Sequence, residues 1–104
     1  MDTYDVNITE PAEDDLRDIA RYISSQLGVP GTALNVIQAI KKAVSKLEKN
    51  ALIYPLVRDD RLASLGYRSV TVRNYTAFYI VSEKKKRVDV DRILYSRRDW
   101  KSII

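Results

Sequence analysis

A chain of 104 residues, 45% hydrophobic and 31% charged, is sized for one domain, residues 1–104, around one core. It has no cysteine and no histidine, so disulfides, thiolate zinc sites and Ser-His-Asp or Cys-His nucleophiles are excluded, and any catalysis must rest on Tyr, Arg, Lys, Asp or Glu. The net charge of +4 is unevenly placed: residues 1–50 carry 6 Lys/Arg against 8 Asp/Glu, residues 51–104 carry 12 against 6, which points to an anionic partner for the second half.

The acidic start, "MDTYDVNITE", is neither a signal nor a transit peptide. No apolar run approaches a membrane span, so a cytoplasmic protein without membrane contact is expected. Within "YDVNI", Tyr4, Val6 and Ile8 alternate with Asp5 and Asn7, the period of a short strand with one wet face. Thr9 or Glu10 can cap the helix that follows, and Pro11 suits its first position. Ala12, Leu16, Ile19, Ile23 and Leu27 recur at steps of three and four and mark the core face. Glu13, Asp14 and Asp15 crowd the first turn, where the helix dipole favours negative charge. Gly28 is the stop.

After the connector "GVPGT", a second helical period runs from about Thr32 to Lys49 through Ala33, Val36, Ile37, Ile40, Val44 and Leu47. So short a connection predicts an antiparallel helical hairpin. Pro55 forbids a central strand in "NALIYPLVRDDRLASLG", which reads as a loop carrying Arg58 and Arg61 across the surface. "YRSVTVR" and "YTAFYIVS" read as strands joined by a tight turn at "RN", and "VDVDRILY" as a third, after the charged turn "EKKKR". Its alternation breaks between Val90 and Ile93, which a bulge or burial on both faces would explain. The order β-α-α-β-β-β predicts an α+β fold, with an N-terminal helical hairpin packed on one face of a mainly antiparallel sheet.

Arg68 and Arg73 bracket one predicted strand; Arg92, Arg97 and Arg98 lie on or just after the last. Strands sit about 5 Å apart, so these side chains are expected to converge on one sheet edge, where the planar guanidinium matches phosphate. Tyr67, Tyr75, Tyr79 and Tyr95 alternate with them, as on a platform for single-stranded nucleic acid; for Tyr79 and Tyr75 packing against the helices is the favoured reading. Asp99 either pairs locally with Arg98 to hold the tail or orients it. Asp89 and Asp91, at i, i+2, share a strand face and temper the basic turn; two carboxylates do not make a metal site, and none is expected. Trp100 is an anchor for the C-terminus.

Taken together, "PAEDDLRDIARYI", the helical hairpin, "GYRSVTVRNYTAFYIV" and the closing "ILYSRRDW" resemble the RelE/ParE superfamily of toxins from type II toxin–antitoxin modules, over almost the whole chain. The resemblance implies a growth-inhibiting toxin without a cofactor, neutralised by a cognate antitoxin with an acidic or amphipathic C-terminal segment. RelE-like members cut messenger RNA on the ribosome through the ribose 2′-hydroxyl; ParE-like members inhibit DNA gyrase. For a ribonuclease, the catalytic candidates are Arg68, Arg73, Tyr95 and Arg98; Arg58, Arg61, Arg92, Arg97 and Lys101 are candidates for binding the target or nucleic acid. Arg68 and Arg98 match basic positions of the RelE pattern. Thr76 stands where RelE-like chains carry an arginine, and Ile104 falls about where they carry a tyrosine. "LYSRRD" resembles the ParE "LHGxRD", with Tyr95 in place of the histidine. The balance leans to the ParE branch.

Overall fold

The computed structural model describes residues 3–28 and 30–104. Its elements are β1 (Asp5–Ile8), α1 (Glu10–Leu27), α2 (Pro30–Ser45), α3 (Leu47–Asn50), α4 (Asp60–Ser64), β2 (Tyr67–Val72), β3 (Tyr75–Ser82), β4 (Arg87–Tyr95) and α5 (Trp100–Ile103). The strands form one sheet in the order β1-β4-β3-β2. β1 runs parallel to β4, and the other pairs are antiparallel. This is the expected α+β fold. Among the described residues, no helix is long and apolar enough to cross a membrane.

Thr9 is the cap of α1: its side chain accepts from the Ala12 N–H at 3.4 Å. Its hydroxyl also lies 3.1 and 3.2 Å from the carbonyl oxygens of Val90 and Asp91, which ties the helix start to β4. Pro11 sits one position later than expected, because Glu10 opens the helix; a missing N–H is harmless at either place. Gly28 ends α1 with φ 64°, a left-handed conformation that glycine adopts without a Cβ clash. The core face is buried at Ala12, Leu16, Ile19 and Ile23; the Leu27 side chain and Val29 of the connector lie outside the described residues. The α2 stripe packs beside it through Ala33, Val36, Ile40 and Val44. Both helices cover the sheet face that carries Val70, Ala77, Tyr79, Val88, Val90 and Ile93.

Two features depart from the sequence reading. The second helical period breaks at Lys46, so that α2 ends at Ser45 and Leu47 opens a separate turn. The stretch expected to be an irregular loop contains α4, capped by the Asp59 carboxylate, which accepts from the Leu62 N–H at 3.0 Å. Leu62 is fully buried, with Val57, Phe78 and Leu94, on the sheet face away from the hairpin, where Trp100, Ile103 and Ile104 pack against them. Pro55 does stay out of the sheet, while its neighbour Leu56 bridges Arg68 on the outer side of β2.

The break in β4 is a bulge. Arg92 faces Phe78 and Val90 faces Tyr79, leaving Asp91 as the extra residue. Strict alternation would carry Arg92 onto the helix-covered face after Val88 and Val90; the bulge delivers Ile93 there instead. Leu94, on the opposite face, joins the second cluster. The Trp100 ring stacks on Phe78 at 5.0 Å with the planes tilted by 34°. Replacing Trp100 by Ala is expected to lower stability by about 2–3 kcal/mol, read as a shift of the urea midpoint by circular dichroism; an unchanged midpoint would mean that α5 contributes nothing to the fold.

Candidate functional site

One end of the sheet is built by two turns. Arg73 and Asn74 join β2 to β3, with Val72 facing Tyr75. Arg73 takes φ 56°, a region in which a side chain with a Cβ is uncommon. The Ser96 N–H donates to the Asn74 carbonyl at 2.8 Å, and the Arg98 N–H to the Tyr95 carbonyl at 2.9 Å. The chain leaving β4 is thereby folded against the hairpin, which brings Arg97 and Arg98 to the end that holds Arg73.

Tyr75 faces Tyr95 across the strands, their rings 6.0 Å apart and edge to face at 70°. With Asp18, Ile19 and Tyr22 of α1, and with Arg98, they line a groove of about 450 Å³. The Tyr22 side is 62% exposed and Tyr95 41%. Burial, and then the nearby Tyr22 and Tyr95, push the Tyr75 phenol above its usual pKa. Among the described residues, the hydroxyls of Tyr22, Tyr75 and Tyr95 have no hydrogen-bond partner, and neither do the exposed guanidiniums of Arg73, Arg97 and Arg98.

The remaining candidates lie elsewhere, so the expected convergence on one sheet edge does not occur. β2 is an outer strand and β4 an inner one. Arg68 pairs in register with Tyr79, four residues along β3 from Tyr75, or about 13 Å at the strand rise, and donates to the Tyr54 carbonyl. Tyr79 is buried, its hydroxyl donating to the Ala51 carbonyl at 2.9 Å. Arg61 donates to the Lys101 carbonyl at 2.8 Å, and the Lys101 ammonium lies 5.8 Å from the Trp100 ring. Arg58 is exposed just before α4. Arg92 is engaged inside the fold: Nε and Nη2 fork onto the two Asp15 oxygens at 2.8 and 2.9 Å, which raises its pKa.

The carboxylates also divide differently from expectation. Asp89 accepts from Asn7 and Arg87, whereas the bulge turns Asp91 to the Tyr67 hydroxyl at 2.8 Å. Burial first, then this hydrogen bond, pushes the Tyr67 phenol up to about 12. Asp99 takes Ser102 rather than Arg98 as its partner. Thr76 is buried and forms a hydroxyl chain from β2 through β3 to the turn after β4, 3.3 Å from Thr71 and 2.7 Å from Ser96.

Asp15 and Tyr22 escaped the sequence reading. Asp15 is buried and, because α1 opens at Glu10, it falls in the second turn and not in the acidic first turn where it is expected. The available signal was spacing: Asp15, Asp18/Ile19 and Tyr22 follow one another at helical steps along the flank of the α1 stripe.

Residues 6–100 match the family model described as ParE toxin of type II toxin-antitoxin system, parDE. The chain belongs to the ParE toxin family. No curated relative matches it at a significant level. Among solved structures, the toxin's fold is similar to a chromosomal ParDE system from P. aeruginosa, at 23% identity and TM-score 0.74 over 89% of this chain and 96% of that one. It is also similar to E. coli RelE, as a mutant in the free state, at 14% identity and TM-score 0.66 over 97% and 92% of the two chains. The RelBE2 toxin–antitoxin complex of Mycobacterium tuberculosis matches at 18% identity and TM-score 0.60 over 89% and 98%. These likenesses span both branches of the superfamily.

Two measurements test the packing around this end of the toxin. Replacing Asp15 by Ala strands the Arg92 charge and the Ile93 N–H, which Asp15 accepts at 2.9 Å, and is expected to cost about 3 kcal/mol. Asp15→Asn keeps an acceptor for that N–H and is expected to cost less; equal losses by denaturant titration would discount the Ile93 bond. Tyr67 and Tyr79 both titrate at about 12 in the folded toxin, against the ordinary 10. Folding therefore favours the neutral phenols, and their contribution is complete below pH 10 and lost as pH rises through 12. Stability measured from pH 9 to 12 is expected to fall over that window, less steeply for Tyr67→Phe than for wild type.

Proposed function

We propose that this toxin acts on DNA gyrase and is held inactive by a cognate antitoxin in the cytoplasm. The observation that carries the choice of target is Thr76. The nuclease branch of the superfamily places a cation there to meet the charge of a cleaved phosphate. Here the position is a buried hydroxyl, satisfied between Thr71 and Ser96, with no room for that role. Arg68, the other basic position of the RelE pattern, donates to the Tyr54 carbonyl away from Arg98, so the two guanidiniums do not frame one phosphate. Membership of the ParE family supports the same reading.

The antitoxin segment is acidic or amphipathic. Beyond the Leu56 bridge, β2 presents an uncovered outer edge, and Leu52, Ile53, Tyr54 and Leu56 are exposed nearby. A segment that folds on binding can add a strand there and cover the apolar side chains.

The test is purified toxin with gyrase from its own host. Supercoiling is expected to fall, or cleaved DNA to accumulate, while messenger 5′ ends mapped after induction stay unchanged. An unaffected gyrase together with new cuts inside translated frames would overturn the reading in favour of ribosome-dependent cleavage; Arg98→Ala and Arg68→Ala would then each reduce cutting by orders of magnitude.

A further inference from the structure

The groove between α1 and the ends of β3 and β4 gathers groups that the fold itself does not use. Tyr22, Tyr75 and Tyr95 line one space, and their hydroxyls have no hydrogen-bond partners among the described residues. Arg98 lines the same space, and Arg73 and Arg97 stand exposed at the same end, without partners among the described residues. Arg73 holds its place with an unfavourable φ of 56°; strain of this kind persists where the surroundings require it.

The groove is also polarised. Asp15 and Asp18 lie on its α1 wall; Asp15 is engaged by Arg92 and the Ile93 N–H, whereas Asp18 is held, among the described residues, only by an exposed pair with Arg21 at 3.5 Å, which water screens. Arg98 lies on the opposite, sheet side. A ligand that fits must offer a flat apolar body to the rings, hydrogen-bond donors to Asp18 and negative charge to the arginines. A nucleotide has all three, since every base has a stacking face and most carry N–H donors on the pairing edge. About 450 Å³ is a volume suited to a single small ligand. The base must be unpaired, because in a duplex its faces and pairing edge are occupied. An acidic peptide would meet the arginines but bring like charge to Asp18.

We propose that this groove holds one unpaired nucleotide of a DNA strand, its base against Tyr22 and Tyr95 and its flanking phosphates on Arg98, Arg97 and Arg73. The choice of DNA rests on the gyrase reading, since an enzyme that breaks and rejoins strands exposes unpaired nucleotides beside the toxin.

The experiment is fluorescence anisotropy of the purified toxin with a fluorescein-labelled, mixed-sequence DNA octanucleotide, single-stranded and as a duplex, at one fixed salt concentration. The single strand is expected to bind at least about ten-fold tighter than the duplex. Tyr22→Ala removes an exposed ring and is expected to weaken strand binding about ten-fold without changing duplex binding, whereas Tyr22→Phe retains strand binding. Circular dichroism and Trp100 emission verify that the variants fold. Equal binding of strand and duplex, indifferent to Tyr22→Ala, would overturn the proposal and leave only a diffuse basic surface. So would a Tyr22→Ala defect confined to a peptide copying the antitoxin's C-terminal segment. Strand binding is read without gyrase, so the two readings fail separately. Lost strand binding beside intact gyrase inhibition removes the groove's occupant alone; intact strand binding beside an unaffected gyrase removes the target alone.

Discussion

The Asp15 carboxylate joins the helical layer to the sheet at the point where the sheet runs out of strands. β1 pairs with β4 only as far as Ile8 and Val90, while β4 continues to Tyr95. The continuing edge has backbone groups that need partners. Thr9 ends β1, caps α1 and reaches the Val90 and Asp91 carbonyls. One turn and a half later Asp15 accepts from the Ile93 N–H at 2.9 Å and from two nitrogens of Arg92 at 2.8 and 2.9 Å. A buried carboxylate is costly unless its lone pairs are met; three charge-assisted bonds meet them here. The pair does more than hold charge in balance, because α1 replaces the missing strand along this edge. The next turns of the helix then carry Asp18, Ile19 and Tyr22 to the groove. The contact that places the groove's helical wall also lines the groove, through Asp15 and Ile93.

The bulge at Asp91 makes the rest of that arrangement possible. By slipping the alternation it keeps the Arg92 side chain off the helix-covered face and gives Ile93 to the core in its place. Asp91 becomes an acceptor for Tyr67, and Leu94 is sent to the other face, where it meets Phe78, Leu62 and the C-terminal residues. The second cluster therefore receives Leu94 through one extra residue in one strand. It also gives the closing segment something to pack on, so the last residues of the chain form a short helix rather than a loose charged tail.

The regular elements were legible because their patterns are local. The α1 stripe, the Gly28 stop, the Arg73–Asn74 turn and the interrupted alternation of β4 all register in side-chain spacing or turn chemistry. α4 was missed because only Leu62 and its Asp59 cap mark it, too few residues for a period to show. The site was legible only in part. Arg73, Tyr95, Arg97 and Arg98 stand at one end of the sheet because two turns adjoin across a single strand pair, a relation that hairpin order already contains. Convergence of Arg68 and Arg92 with them depends on strand order, and the order β1-β4-β3-β2 follows from the parallel return of β1 to β4, which no local pattern encodes. Asp15 was hidden for a related reason: three acids in a row look alike until tertiary contact buries one of them.

The basic excess of the second half resolves into two populations with different physics. Arg92, Arg61 and Arg68 have guanidiniums bonded to oxygens of the fold, a carboxylate and two carbonyls. Their charge is tied to those acceptors, and moving them would leave the acceptors unmatched. Arg58, Arg73, Arg97 and Arg98 are exposed and bonded to nothing among the described residues. Three of these four stand at the hairpin end. An exposed pair adds little to stability, so three arginines without partners bring the fold only mutual repulsion, one of them with the added cost of a left-handed backbone. The local field they create falls off over roughly 10 Å at ordinary salt, which confines its reach to the groove and its rim. No described residue of the fold uses the charge at this end, and it is on this free charge that the proposed nucleotide's phosphates rest.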